Sequence, residues 1–146
     1  MQALIQSLWI GPELSLLEQL SIASFLKNGH PYDLYVYEDV RGIPAGTTVR
    51  DANDIIAEKH IFTTRGTSVA CYSDWFRWEL LYRHGHYWAD MDMVCLRPFD
   101  YSDEIVFGNF QTRAPVSYTH LRAHETLGSI AYAVFCLKRG GGGGGG

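Results

Sequence analysis

Residues 1–39 leave few folds open to this chain. "ALIQSLWIG" (Ala3 to Gly11) is a short, β-prone apolar run closed by Gly11-Pro12, which predicts a first, buried strand. "SLLEQLSIASFLKNG" then opens with Ser15 and Glu18 at capping-box spacing and stops at Asn28-Gly29. Leu16, Leu20 and Ala23, with Leu17 beside Leu20, recur at helical intervals, so this stretch predicts a helix. "DLYVYED" (Asp33 to Asp39) alternates into a second strand. Strand, helix and strand in so short a span is the pattern of a βαβ unit, and hence of an α/β domain built on a parallel sheet.

Residues 41–65 carry "GIPAGTTVRDAN", rich in turn formers, and predict a loop with a short helical piece around Ala52 to Glu58. "SVACYSDWFRWELLYRHGHYW" predicts a second helix from about Val69 to His84, with Ser68 as its cap and Gly85 as its terminator. Tyr72, Phe76 and Leu80, with Trp75, Trp78 and Tyr82, make it apolar around most of its circumference, so it is expected to be substantially buried. Asp74 and Arg77 share one face of this helix. An intrahelical salt bridge is one account of them. On so apolar a helix the pair is also expected to face a partner or a polar cleft, because stranding either charge is costly.

"GHYWADMDMVCLRPFD" runs from Gly85 to Asp100 and sets two acids, Asp90 and Asp92, at the end of an aromatic strand. In an extended segment alternate side chains point the same way, so the two carboxylates are expected to converge while Met91 points elsewhere. Two like charges that close repel, and a cation relieves them. Carboxylate oxygens suit a hard divalent ion such as Mg²⁺ or Mn²⁺, which in turn bridges phosphate oxygens. In parallel sheets the ligand crevice lies beyond the carboxyl ends of the strands, where this pair would fall. The spacing D-x-D is weak evidence alone; its setting between an apolar strand and the helix bearing Asp74 and Arg77 strengthens it.

In that order, "IQSLWIG", "SDWFRWELLYRHG" and "YWADMD" resemble the glycosyltransferases whose sugar-binding region contains the DXD motif, the glycosyltransferase family 32-like group. That group is related to capsular-polysaccharide sugar transferases and, more distantly, to clostridial glucosylating toxins. The likeness covers most of Met1 to Gly108, and its core block is S-D-x-x-R followed by G-x-x-x-x-D-x-D.

The resemblance implies a partial GT-A fold, the Rossmann-like nucleotide-sugar-binding architecture. The implied activity is metal-dependent transfer of a sugar, with retention, from a UDP- or GDP-sugar to a hydroxyl of a glycan or other acceptor, in polysaccharide or glycan biosynthesis. It maps the metal, Mn²⁺ or Mg²⁺, to Asp92, with Asp90 beside it holding the donor's ribose and sugar. Asp74 and Arg77 would contact the donor sugar, with Ser73 lining the same place. Trp9 would stack on the nucleobase and Trp88 would form an aromatic wall. The catalytic group implied is thus Asp90, Asp92 and Arg77. Two positions depart from the family: Gln6 stands where histidine is usual, and His86 replaces a second glycine, which would strain the turn if its backbone needs a positive φ.

"VSYTHLRAHET" (Val116 to Thr126) resembles a translated sequencing-library adaptor, "IAYAVFCLK" (Ile130 to Lys138) the flow-cell sequence that follows it, and seven glycines close the chain. The expected division is therefore 1–115, an N-terminal part of a GT-A domain that leaves the family pattern near Asn109, and 116–146, a non-native tail. The glycine run is expected to be disordered, since it has nothing to bury against its ordering entropy. Over 1–115, fifteen acidic side chains outnumber nine basic ones. An acidic domain is a poor candidate for general nucleic-acid binding, which needs a basic face.

Cys71 and Cys95 form no CxxC pair, so neither a zinc ribbon nor a disulfide framework is expected. His84-x-His86 and His120-x-x-x-His124 are weak candidates for metal pairs. With no membrane-spanning run and no signal core, the expected setting is cytoplasmic. Two other functional readings stand beside the transferase. One is a non-catalytic nucleotide-sugar-binding fragment. The other is a haloacid-dehalogenase-like phosphatase, in which Asp90 of "DMDMV" would be the nucleophile.

Overall fold

The computed structural model describes residues 2–100. The expectations for 116–146, for the boundary near Pro115 and for His120 and His124 lie outside the described residues. Strand β1 (Ile5–Trp9) and strand β2 (Tyr32–Val36) pair in parallel, from Ile5 opposite Tyr32 to Trp9 opposite Val36, and helix α1 (Leu16–Lys27) connects them. The capping box forms: Ser15 Oγ accepts from Leu17 N at 3.3 Å, and the Glu18 carboxylate accepts from Ser15 N at 2.8 Å. Every residue of β2 is buried, so the alternation read from its sequence does not separate a wet face from a dry one. Helices cover both sides of the sheet, as parallel sheets require.

The loop expected over 41–65 needs correction. Thr48–Asp51 forms β3, parallel to β2, with Asp33 opposite Thr48 and Val36 opposite Asp51. All four residues are exposed, so this edge strand carries no apolar signature by which to be read. The helical piece is two single 3₁₀ turns, Ala52–Asp54 and Glu58–His60. Helix α2 (Ala70–His84) leads to β4 (Tyr87–Trp88), which pairs in parallel with β1, Gln6 opposite Trp88. The sheet order is β3-β2-β1-β4. The chain builds outward from β1 through β2 and β3, then returns to the other side of β1, so the order reverses between β1 and β4.

Two apolar clusters fill the two sides of this α/β sheet. Ile5, Leu34, Ile22 and Phe25 meet on the α1 side, and Leu8, Tyr35, Phe76, Leu80 and Trp88 on the α2 side. Helix α2 buries one face only, through Tyr72, Phe76, Leu80 and Leu81, while Trp75 and Tyr82 are exposed, against the expectation of burial around most of its circumference. Ser68 lends its Oγ to Ala70 N at 3.3 Å, with Val69 in the capping position itself.

On α1 the exposed side is the leucine stripe. Leu16, Leu17, Leu20 and Ala23 face solvent, and Ser21, Ile22, Ser24 and Phe25 are buried. Of the buried serines, Ser24 is fully engaged: its Oγ donates to Ser21 O at 2.7 Å and accepts from Cys95 N at 2.8 Å, while Asn28 Nδ2 donates to Ser24 O and to Cys95 O; the Ser21 hydroxyl has no partner among the described residues. His30 holds the same returning segment, donating from Nδ1 to Ala3 O at 3.0 Å and accepting at Nε2 from Phe99 N at 2.9 Å. Both nitrogens are then used by the neutral ring, in keeping with the burial that lowers its pKa below the ordinary histidine value. Among the described residues no helix is long and apolar enough to cross a membrane.

The α2-to-β4 turn bears out the concern over His86. Gly85 has φ +66° and His86 φ +69°, a region that a side chain with a Cβ enters at a cost. Buried Gln6 donates from Nε2 to Gly85 O at 2.7 Å and fixes the turn against β1. His86→Gly is therefore expected to raise the unfolding free energy by about 1 kcal/mol, the usual relief of a left-handed non-glycine residue. Urea unfolding followed by circular dichroism checks it.

Candidate functional site

The strand order reverses between β1 and β4, and open parallel sheets generally bind ligands beyond the carboxyl ends of the strands at such a reversal. Trp9 ends β1, and Asp90 and Asp92 follow β4. Trp9 shares a side of the sheet with Ile5 and packs, partly buried, against the α1-side cluster. Its Nε1 is buried and has no hydrogen-bond partner among the described residues.

The acids are not on an extended strand, which corrects the basis on which they were expected to converge. β4 ends at Trp88, and Met93 N donates to Asp90 O at 3.2 Å, so 90–93 is a turn. Asp90 is its first residue and Asp92 its third. Met91 and Met93 are buried beneath it, and Asp92 is exposed. The acids thus sit on a solvent-facing turn anchored by its two methionines.

Helix α2 delivers the other half of the site. Arg77 Nη2 donates to Asp74 Oδ1 at 2.7 Å, and Arg77 Nη1 lies 3.9 Å from Asp90 Oδ1. The Arg77 side chain is 14% exposed, so its guanidinium is held between two carboxylates in a largely desolvated position, where charges interact more strongly than on an open surface. Asp90 Oδ1 also accepts from Trp88 Nε1 at 2.9 Å. Trp88 is buried in the α2-side cluster, so it offers the site an indole N–H and not the open ring face of an aromatic wall. Ser73 lies half-buried on α2 beside Asp74. Asp74, Arg77, Trp88 and Asp90 are therefore brought together in contact; Trp9 lies on the far side of the sheet, and Asp92 on the exposed crest of the turn.

The acids suit a small, hard divalent ion. Mg²⁺ and Mn²⁺ are commonly held by one or two carboxylates, with water and phosphate oxygens completing the shell. Among the described residues no three His, Cys, Asp or Glu side chains are grouped about one ion position, so Asp90 and Asp92 would rely on such outside ligands.

A cleft of about 340 Å³ lies against the α2 side, lined by Gln6, Asp33, Arg50, Asp54, His84 and His86 among others. Asp33 is buried and accepts from Arg50 Nε at 2.9 Å. Burial raises the Tyr35 pKa there, with the Asp33 charge adding to it. His84 and His86 share this lining, and among the described residues they belong to no group of three potential metal ligands. Sequence reasoning missed the Asp33–Arg50 pair because Arg50 lies in the unread strand β3. It missed Trp88 as a donor because an aromatic residue in a strand gives no sign of where its N–H points. No family model matches the chain, and neither does any curated protein or solved structure.

Proposed function

We propose that the chain carries the donor-binding part of a metal-dependent glycosyltransferase of GT-A type, acting on a UDP- or GDP-sugar. The observation that supports it most is the position of Arg77 between Asp74, of the S-D-x-x-R block, and Asp90, of D-x-D, at the reversal of strand order. Two motifs separate in sequence thus meet through Arg77.

In this reading Asp92 and Asp90 would hold Mn²⁺ or Mg²⁺, which would supply Lewis-acid stabilisation of the charge on a nucleoside diphosphate leaving group. Arg77, oriented by its two carboxylates, offers a fixed positive fork to a donor hydroxyl or phosphate. Asp74, the exposed partner of that pair, fixes the guanidinium from the outer side and has an oxygen to spare for a sugar hydroxyl. Trp9 ends β1 on the α1 side of the sheet, away from the Arg77 group, with an indole N–H that has no partner among the described residues.

Isothermal titration of the full chain with UDP- and GDP-sugars, with and without Mn²⁺, tests the assignment, and released nucleotide reports catalysis. A metal-dependent donor affinity is expected, with Asp92→Ala weakening Mn²⁺ by more than about tenfold. Unchanged Mn²⁺ affinity in that variant would remove Asp92 from the site. Donor binding without nucleotide release identifies a binding module instead. A covalent phosphate on Asp90 would identify the phosphatase chemistry.

A further inference from the structure

Asp90 follows β4 by two residues, and its side chain is 46% exposed. A carboxylate so placed on a surface turn ordinarily divides its time among rotamers, which weakens any ligand that needs one of them. Here Oδ1 is engaged from the interior by Trp88 Nε1 at 2.9 Å, with Arg77 Nη1 at 3.9 Å from the same oxygen.

The indole is an effective clamp for two reasons. Trp88 is 3% exposed and packs in one cluster with Leu8, Tyr35, Phe76 and Leu80, so the donor is part of the rigid core. Its N–H is also a group that a buried ring cannot leave unpaired without penalty, so the bond is favoured from both ends. The donor is neutral as well. It orients the carboxylate without cancelling its charge, whereas a second cation at that distance would compete with any ion approaching the turn. Both contacts fall on Oδ1, and Oδ2 is left to take a ligand.

We infer that Trp88 is a positioning residue, whose indole N–H fixes the Asp90 carboxylate in advance for the divalent ion and the donor. This rests on the proposed transferase reading, and it replaces a ring-stacking role for Trp88 with a hydrogen-bonding one. Phenylalanine or leucine would also fill the core beneath β4, but neither would hold the acid.

The test is Mn²⁺ affinity of the full chain, read from the electron paramagnetic resonance of the free ion. Trp88→Phe removes the N–H and some volume; replacing Trp88 by benzothienylalanine removes the N–H and keeps the bicyclic shape, which guards against a variant that does not fold. Thermal unfolding without metal is followed in parallel. The benzothienyl protein is expected to melt with the wild type yet bind Mn²⁺ about tenfold more weakly, as losses of outer hydrogen bonds to metal-binding groups generally do. In an Asp90→Ala background, which leaves the indole no acceptor at that position, the same replacement should change the affinity no further, since the two groups act through one bond. Equal Mn²⁺ affinity in the wild-type and benzothienyl proteins overturns the role of Trp88 and leaves the transferase reading standing. A wild-type chain that does not bind Mn²⁺ overturns both.

Discussion

Phe25→Ala is expected to lower the unfolding free energy by about 3–5 kcal/mol, the range for removing a large aromatic ring from a core. Phe25 is fully buried on α1 and lies within ring-contact distance of His30, Tyr32 and Phe99, at centroid separations of 6.3, 5.8 and 5.7 Å. These neighbours come from two segments, the entry to β2 and the stretch after β4, so collapse around the missing ring would have to move both. Leu16→Ala on the same helix is expected to change stability by less than about 0.5 kcal/mol, because Leu16 is 82% exposed. Urea unfolding of the two variants gives the contrast directly. Equal losses would mean that α1 packs on its leucine stripe and that the serine face is the outer one.

Arg77→Ala is expected, on the proposed transferase reading, to reduce nucleotide release from the donor by about 10²–10³-fold, comparable to deleting one fixed electrostatic donor from an active site. The guanidinium supplies the positive charge nearest Asp90 in the described site and fixes Asp74 by its other nitrogen. Arg77→Lys should recover only part of the loss, since an ammonium is a point charge that cannot span both carboxylates as the planar fork does. The assay is nucleotide released at saturating Mn²⁺, with circular dichroism to show that each variant is folded. Turnover within twofold of the wild type would reduce the Asp74–Arg77 pair to an ordinary helix-surface ion pair, a contact of little consequence.

The sequence announces its own framework where signals are local. The Ser15–Glu18 capping box, the Asn28-Gly29 stop and the Gly85 terminator act within a few residues, and α1 and α2 form close to the limits they set. What it does not announce is decided by distant partners. The α1 face turns on Ser24 meeting Cys95, seventy-one positions away, and a serine that accepts a backbone N–H is indistinguishable in sequence from one that faces water. Among the described residues β3 pairs only with β2, and all four of its residues are exposed, so no periodicity marks it.

The site divides in the same way. Asp74 and Arg77 are legible as a pair from their spacing on a helix, and Asp90 from its place after an aromatic strand. The turn at 90–93 is not legible, because alternating acid and methionine reads equally as a strand. Burial of Met91 and Met93 under that turn, with β4 ending at Trp88, sets the direction of the acids in place of the two-residue repeat.

The shape of β3 bears on how copies of the chain meet one another. An edge strand presents unpaired amides and carbonyls on which a second molecule can build, and long flat apolar edges lead to stacking and precipitation. β3 is four residues long and carries Arg50 and Asp51, with the Arg50 side chain drawn across to Asp33 on the neighbouring strand. A foreign strand laid along it would find a short, charged ledge instead of a template, so this side of the sheet guards against unwanted polymerisation.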